Sequence, residues 1–375
     1  MGCSDVSRLW LEILSVKGVS ALMWERLHRT VPPGKIAMML RSADGRRDLS
    51  ALLGRRVTET DGRILDRQLH MIENGRCSIV SISDEHYPSL LREIADPPPL
   101  LFYKGELSVL EGPVICVVGS RRSSRRGIYT ALGLARDLSA RGIAVTSGMA
   151  RGIDSAAHEG ALKGRAGTCA VLGCGIDIPY PPENAGLGVE ISAHGCLITE
   201  FPPGTPPLKR NFPRRNRILS GVSLGTVVIE AAIGSGAMGT AEWALDQNRE
   251  VFAVPGPIEY RGSRGPHRLI RQGAALVETV EDILAELPPC GNICEDGSFQ
   301  SGSSGDSLSK PERELLSALE LDPKHIDELV EICHISAASI LPVLLGLELK
   351  GIVESCGSGT YALSVDWKGI ESRGR

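Results

Sequence analysis

The chain has 375 residues, a formal net charge of −4, 42% hydrophobic residues and only 4% aromatic residues. This length is enough for two or three domains, and the small aromatic fraction argues against a large base-stacking surface. No apolar run reaches the roughly 18 residues that a membrane span needs, and the N-terminus lacks the apolar region of a secretion signal. We therefore expect a cytoplasmic protein that does not associate with membranes.

The charge is distributed unevenly along the chain. Residues 1–112 carry 15 Lys and Arg and 15 Asp and Glu, whereas residues 113–277 carry 19 against 12. Residues 278–375 carry 7 Lys and Arg against 18 Asp and Glu. Because local fields steer partners more than net charge does, the basic middle and the acidic C-terminal quarter are expected to have different partners.

Residues 1–75 are predicted to form a small helical domain. Apolar residues recur at helical spacing near its start, at Leu9, Trp10, Ile13 and Leu14. The turn at 16–20 and the helix that follows it weakly resemble a helix-hairpin-helix or SAM-like unit, which binds backbone phosphates. Since this part of the chain has no net charge, plain structural packing is the favoured interpretation.

Residues 76–287 are predicted to form an α/β domain with a doubly wound, parallel sheet. Short apolar strands alternate with helices, a pattern typical of a sheet covered on both faces. The predicted strands are 77–82, 100–103, 114–118, 143–146, 168–172, 196–199, 226–229 and 250–254. Helices are predicted at 127–140, from 154, at 213–221, at 239–248 and at 266–272. Ligands of such sheets bind at the carboxyl ends of the strands.

Three glycine-rich turns follow strands of this sheet and predict a phosphate-binding site. Glycine lets the backbone approach a ligand, the amides of the turn and the helix N-terminus favour an anion, and arginine binds phosphate bidentately. The chain contains neither a P-loop nor a dinucleotide-binding motif, so no nucleotide cofactor is expected. The candidate residues are Gly119, Ser120, Arg121 and Arg122, then Ser147, Gly148, Arg151 and Gly152, and finally Ser235 and Gly236.

The segment 209–217 (KRNFPRRNR) carries too many cations for one nucleotide and suits a run of backbone phosphates. A charge run seen alone is usually a solvated surface. A second basic run, RRSSRR at 121–126, lies in the same predicted domain and favours phosphate binding.

Residues 288–310 are rich in Gly, Ser and Pro and are predicted to be a flexible linker. Residues 311–365 then follow the order helix, helix, helix, hairpin of a winged-helix domain. Its third helix, 336–350, has no Lys or Arg from 336 to 349, so a protein contact or regulatory role is favoured over duplex DNA binding. The ten scattered cysteines indicate reduced thiols, and no metal site is expected, although Cys290 and Cys294 leave that alternative open.

Seven segments of the α/β domain stand in a highly specific order and spacing. They are GSRR at 119–122, SGMARGIDSAAHEGAL at 147–162, VLGCGIDIPYPPEN at 171–184, EFPPGTPPLKRNFPRRNRILSGVS at 200–223, VVIEAAIGSGAMGTAEWAL at 227–245, REVFAVPG at 249–256 and GAALVETVEDIL at 273–284. These segments resemble the DprA/Smf family of DNA-processing proteins. The resemblance covers most of 77–287 and extends more loosely to both ends of the chain.

The resemblance implies an extended Rossmann-like fold that forms a homodimer and binds single-stranded DNA without catalysis. It also implies that the protein protects incoming DNA in natural transformation and loads the RecA recombinase on it. Carried over residue by residue, it places Arg121 in the first turn and Ser147–Gly148 in a pocket with Arg151, Gly152 and Asp154. The basic loop corresponds to Lys209, Arg210, Asn211, Phe212, Arg214, Asn216 and Arg217.

Several residues have competing roles. Asp154 would repel phosphate, so we expect it to support the structure, by capping the helix that follows or by orienting Arg151. Phe212 either stacks on a base or packs in the core, and His158 is expected to be structural. The chain departs from the family pattern at Met238–Gly239, where a small packing change is expected, and at Pro266–His267, which puts one edge of the pocket in question.

Two other functions remain open at this stage. One is a nucleotide-processing enzyme of the phosphoribohydrolase type, since 234–242 keeps the Gly–Thr but not the Pro–Gly–Gly of the motif P-G-G-x-G-T-x-x-E. The other is a structural scaffold associated with DNA.

Overall fold

The computed structural model describes residues 5–16, 23, 27, 30–287, 309–319 and 323–364. Apart from Val16, the predicted turn at 16–20 lies outside the described residues. Nearly all of the predicted linker, including Cys290 and Cys294, also lies outside them. The described N-terminal helices are α1 (Asp5–Leu14), α2 (Pro33–Leu40), α3 (Ala43–Leu53) and α4 (Gly62–Glu73). Local signals set their ends, since Ser42 accepts the Gly45 amide before α3 and Asp61 accepts the Arg63 amide before α4.

The N-terminal helices pack on the sheet that follows them. Trp10 and Ile13 of α1 share one buried apolar cluster with Leu100, Phe102 and Ala170 of the sheet. The helical segment and the sheet therefore belong to one compact unit, and the winged-helix residues form the core of a second. The boundary proposed at 75/76 stays a prediction.

A mostly parallel, nine-stranded sheet forms the centre of the larger unit. Its strands are β1 (Ser78–Ser81), β2 (Leu100–Gly105), β3 (Val114–Val118), β4 (Ala144–Ser147), β5 (Thr168–Val171), β6 (Cys196–Thr199), β7 (Gly225–Val228), β8 (Glu250–Ala253) and β9 (Ala275–Leu276). They are arranged in the order β1-β2-β6-β5-β4-β3-β7-β8-β9. The predicted doubly wound, parallel sheet is confirmed from β6 to β9 along this order, and the departure is at one edge, where β2 pairs antiparallel with both β1 and β6. The connection from β1 to β2 contains the four-residue helix Ser89–Arg92, whereas parallel neighbours are usually joined by a longer crossover helix.

Helices cover the sheet between its strands. They are α5 (Ser89–Arg92), α6 (Arg125–Ala140), α7 (Ile153–Leu162), α8 (Ala185–His194), α9 (Asn211–Gly221), α10 (Gly236–Asp246), α11 (Arg264–Arg271) and α12 (Val280–Glu286). The sequence analysis did not predict α5, α8 or α12, nor the two-residue strand β9. The turns after β3, β4, β5, β6 and β7 all leave the carboxyl edge of the parallel strands, where the candidate residues were expected.

The smaller unit has the predicted winged-helix order. Its elements are α13 (Lys310–Ala318), β10 (Lys324–His325), α14 (Ile326–Cys333), α15 (Ala337–Leu349), β11 (Val353–Gly357) and β12 (Thr360–Leu363), with a sheet of order β10-β12-β11. Only the two-residue strand β10 was not anticipated. Within the described residues no single helix is long and apolar enough to cross a membrane, and the one bent pair that passes on length and composition, α14 with α15, turns by 109°.

Candidate nucleic-acid interface

The glycine turns after β3 and β4 interlock. A side-chain carbon at Gly119 would lie 2.5 Å from Ile153, and one at Gly152 would lie 2.4 Å from the carbonyl oxygen of Ser120. The Ile153 amide also donates to that oxygen at 3.2 Å, and Gly152 has a φ of 77°. Only glycine allows this approach. The interlocked turns hold the short segment from which the exposed side chains of Arg121 and Arg122 project.

Arg121, Phe212 and Tyr180 form a stack at this edge. The Arg121 guanidinium lies 5.5 Å from the centroid of the Phe212 ring, and the Phe212 and Tyr180 rings are 5.5 Å apart with a 40° tilt. Phe212 rests on Gly173, where a side-chain carbon would be 2.8 Å from its ring. Phe212 is thus half-buried, while the Tyr180 ring is 37% exposed. A cation over one ring, with a second ring packed against the first, offers both a phosphate contact and a surface on which a base can stack.

Sequence reasoning missed Tyr180. Its signal was present, because the segment LGCGIDIPYPPEN at 172–184 follows β5 directly and so had to leave the same edge of the sheet as the arginine turns. The pairing with Phe212 joins residues 32 positions apart through the fold.

A buried carboxylate and a buried guanidinium lie beneath the turn after β4. Asp154 accepts the Ala150 amide at 3.3 Å, and Arg215 donates to the carbonyl oxygens of Gly148, at 2.9 Å, and Val171. Both charged groups approach the position where a side chain on Gly148 would stand. Burial raises the pKa of Asp154, although the charge of Arg215 acts in the opposite direction. Asp154 thus supports the loop from inside.

Of the two supporting roles predicted for Asp154, the orientation of Arg151 is wrong. The Arg151 side chain is exposed and forms an ion pair with Glu183 instead, because the buried carboxylate of Asp154 faces Arg215. Asn184, next to Glu183, donates to the Met149 carbonyl and to the Ser155 hydroxyl, both at 2.9 Å. These contacts tie the loop after β5 to the loop after β4.

Arg217 does not reach the surface, which corrects its assignment to phosphate. It is 2% exposed, and its two terminal nitrogens each lie 3.0 Å from a carboxylate oxygen of Glu200, while Nε lies 3.2 Å from Asp96. Burial alone would lower the pKa of Arg217, but these two carboxylates raise it. Arg214 also donates to Glu200, at 2.7 Å, and is only 25% exposed. This cluster fastens α9 to the turn after β6.

Other polar candidates build the edge from within. The Ser147 hydroxyl donates to the Val117 carbonyl at 2.6 Å, and Asn211 and Asn216 donate to the carbonyls of Gly173 and Gly236, both at 3.1 Å. All three residues are buried, so their side chains are not directed at a ligand, contrary to the prediction. Ser235 and Gly236 instead stand at the N-terminus of α10, where the buried Ser235 hydroxyl has no hydrogen-bond partner in the described part of the chain.

Lys209 and Arg210 precede α9 and are exposed. No ion pair of either side chain is found among the described residues. The turn that leads to them is held by Asp177, which accepts the Gly204 amide at 2.8 Å and Arg67 of α4 at 2.6 Å. Partial burial acts to raise the pKa of Asp177, but the Gly204 amide and Arg67 outweigh it and lower the pKa.

The two departures from the family pattern are accommodated by packing. Met238 is buried, and its sulfur lies 2.9 Å from where a side-chain carbon on Gly265 would stand. Pro266 is buried as well, and the His267 Nε2 accepts the Gly256 amide at 3.4 Å. These residues therefore lock the turn after β8 against α10 and α11.

His158 is a buried structural residue, as expected. Its Nδ1 lies 2.8 Å from the Thr168 hydroxyl oxygen, and burial, with the charge of Arg215 adding to it, lowers its pKa from 6.5 to about 3. Among the described residues, no group of three or more His, Cys, Asp and Glu side chains is arranged to hold a metal ion.

Comparison with known proteins gave consistent matches. The family model described as DNA recombination-mediator protein A matches residues 78–288, and the DprA winged helix domain matches 300–359. Protein Smf of Escherichia coli (strain K12) is 35% identical over 361 residues, covering 95% of this chain and 96% of that protein. The DNA processing protein DprA of Streptococcus pneumoniae is 44% identical over 207 residues, 55% of this chain and 73% of that protein.

Two solved structures are similar. The X-ray structure of DprA from Streptococcus pneumoniae has a TM-score of 0.61 at 33% identity and covers 77% of this chain and all of that chain. DNA processing protein A from Helicobacter pylori, solved to describe its single-stranded DNA binding mode, has a TM-score of 0.51 at 26% identity and covers 56% of this chain and 96% of that one.

Proposed function

Because the chain belongs to the DprA/Smf family of DNA-processing proteins, we propose that it binds single-stranded DNA along the carboxyl edge of its sheet and catalyses no reaction. The observation that carries the proposal is the stack of Arg121, Phe212 and Tyr180 beside exposed Lys209 and Arg210. The Helicobacter pylori relative supports it, since its structure was solved for its single-stranded DNA binding mode.

The proposed contacts divide by chemistry. Arg121, Arg122, Lys209 and Arg210 bind backbone phosphates, and the amides at the start of α10 offer a further anion site beside Ser235. One base stacks on Tyr180, which every base can do because each has a π face. Binding of this kind has little sequence preference and weakens steeply with salt.

The finer function follows the resemblance. We propose that the protein protects incoming DNA in natural transformation, loads RecA on it and acts as a homodimer. The family description as a recombination mediator supports this role. RecA filament formation on strands coated by a single-strand binding protein tests it, since a mediator accelerates filament growth and a passive scaffold does not.

A phosphoribohydrolase-type enzyme has less support. The Thr240 hydroxyl, at the position of the motif's threonine, donates within α10 to the Gly236 carbonyl at 3.2 Å. Release of free base from a nucleoside monophosphate by the purified protein would favour that alternative.

Binding of fluorescent single-stranded oligonucleotides tests the proposed function directly. The Arg121→Ala, Lys209→Ala double variant is expected to lose affinity for all sequences alike, by roughly tenfold or more at low salt. Arg47→Ala, an 81% exposed arginine of α3 paired with Asp44, is the matched control. Unchanged binding by the folded double variant contradicts the proposal.

A further inference from the structure

The outer face of α15 carries a stripe of exposed leucines. Leu341, Leu345 and Leu349 are 47%, 58% and 82% exposed, and their spacing of four residues places them on one side of the helix. The opposite side is buried in the winged-helix core through Ile340, Leu344 and Leu347. Ile332 of α14 adds another exposed apolar side chain, 49% exposed, close to the turn between the two helices.

This face lacks what a DNA-reading helix needs. Residues 336–349 contain no Lys or Arg, whereas contacts with duplex DNA depend on cations. A row of exposed leucines is instead typical of a protein-binding surface. Duplex DNA is therefore a poor occupant of this face.

Pro342 adds an acceptor to the stripe. It lies inside α15 and has no backbone N–H, so the Ala338 carbonyl one turn earlier loses its helical donor. Ala338 and Pro342 are both exposed, and Ala338 stands about one turn before Leu341, the first leucine of the stripe. A partner that approaches the leucines also meets a carbonyl oxygen available to a donor.

The two helices that carry these exposed apolar side chains, α14 and α15, are acidic and contain no Lys or Arg. Asp327, Glu328 and Glu331 of α14 and Glu348 of α15 are exposed, and residues 307–375 carry 11 Asp and Glu against 7 Lys and Arg. A second copy of the same face would place these carboxylates against each other, which disfavours self-association. Charge complementarity instead selects a basic partner.

We propose that the outer face of α15 docks an amphipathic α-helix of a protein partner, with apolar side chains at i, i+4 spacing and Lys or Arg at its flanks. The leucine stripe is about 12 Å long at the helical rise, enough for two turns of such a helix. The apolar side chains of the partner helix enter between the leucines of α15. The cations of the partner helix face the exposed carboxylates of α14 and α15 and the Ala338 carbonyl. This surface goes beyond the proposed DNA binding and does not depend on it.

Fluorescence anisotropy with the full-length protein tests the proposal. The probes are two labelled helical peptides with the same leucine spacing, one with Lys and one with Glu at the flanking positions. The Lys peptide is expected to bind the wild-type protein. Its affinity for the Leu341→Gln, Leu345→Gln double variant is expected to be at least about tenfold lower. The affinity of the Glu peptide for the wild-type protein is also expected to be at least about tenfold lower. Leu52→Gln, which changes a 62% exposed leucine of α3, is the matched control and is expected to bind like wild type.

The same variants separate the competing occupants. With equal melting temperatures, the double variant is expected to keep its affinity for single-stranded DNA, so the result is independent of the proposed function. Failure of wild type to bind the Lys peptide, or equal binding by the double variant, overturns the proposal. Loss of duplex DNA affinity would assign the face to DNA, and a shift of oligomeric state in sedimentation would assign it to a second copy; either contradicts the proposal.

Discussion

The two ends of the basic segment 209–217 have the same residue types and opposite placements. Lys209 and Arg210 are exposed, whereas Arg215 and Arg217 are 4% and 2% exposed. The buried arginines satisfy backbone carbonyls and the carboxylates of Glu200 and Asp96. The basic segment therefore has two parts, an exposed contact surface at its start and a buried scaffold at its end that holds this surface in place.

The position of an arginine relative to α9 decides whether it is exposed or buried. A cation that leads into α9 faces solvent, while one that is inside α9 faces either the sheet or the turn after β6. Buried guanidinium groups need matched acceptors, and Glu200 supplies two oxygens to Arg217. Replacing residues at the two ends of the segment is expected to separate stability from binding.

The largest expected effect is on stability, from Arg217→Ala. Among the described residues it leaves the 1% exposed Glu200 with Arg214 as its remaining ion-pair partner, and breaking a buried pair costs about 3–5 kcal/mol. Lys209→Ala is expected to change the free energy of unfolding by less than about 0.5 kcal/mol. Urea denaturation measures both values, and equal losses would remove the distinction between scaffold and surface.

The buried scaffold also predicts a pH dependence through His158, whose pKa is lowered to about 3 by burial and by Arg215. In the unfolded chain the His158 ring takes up a proton near pH 6.5, whereas in the folded chain it stays neutral until about pH 3. The contribution of neutral His158 to the free energy of unfolding is therefore fully present above pH 6.5 and is lost as the pH falls toward 3. Between pH 8 and pH 5 the loss is about 2 kcal/mol, from roughly 1.4 kcal/mol per pH unit below 6.5. His158→Gln is expected to show a correspondingly flatter pH profile in denaturant titrations, and an identical profile would sink this assignment.

A smaller effect is expected from the exposed ring of the stack. Tyr180→Ala removes a surface worth about 1–2 kcal/mol per stacked base, or roughly tenfold in affinity, without breaking a buried contact. Tyr180→Phe keeps the ring and is expected to bind like wild type. Equilibrium titration with oligothymidylate measures both variants, and a loss in Tyr180→Phe equal to that in Tyr180→Ala would point away from stacking.

The fold could be predicted well where local signals act alone. The apolar runs VICVV and CLIT gave β3 and β6 to the residue, because a buried strand must be apolar on both faces. Helix α8 was missed because AGLGVEISAH contains two glycines and buries only Ile191. The antiparallel placement of β2 depends on pairing with β6 nearly 100 residues later, which no local pattern encodes.

The site was predicted in position more than in detail. The position of the site at the carboxyl edge of the sheet could be predicted from the glycine turns. The burial of Arg217, however, depends on Asp96, which is 121 residues away. The placement of the turn at Gly204 depends on Arg67 and Asp177, which are 110 residues apart. Such pairs are formed by the tertiary structure. Sequence reasoning assigned charges to the surface because it had no view of their partners.

The salt dependence of single-strand binding tests the central claim most directly, that exposed cations at the carboxyl edge bind backbone phosphates. A plot of log affinity against log salt for wild type is expected to have a slope of roughly −0.7 for each phosphate contact. The Arg121→Ala, Lys209→Ala variant is expected to give a slope shallower by about 1.4, since two contacts are lost. A wild-type slope near zero, or the same slope in a folded double variant, would contradict this account.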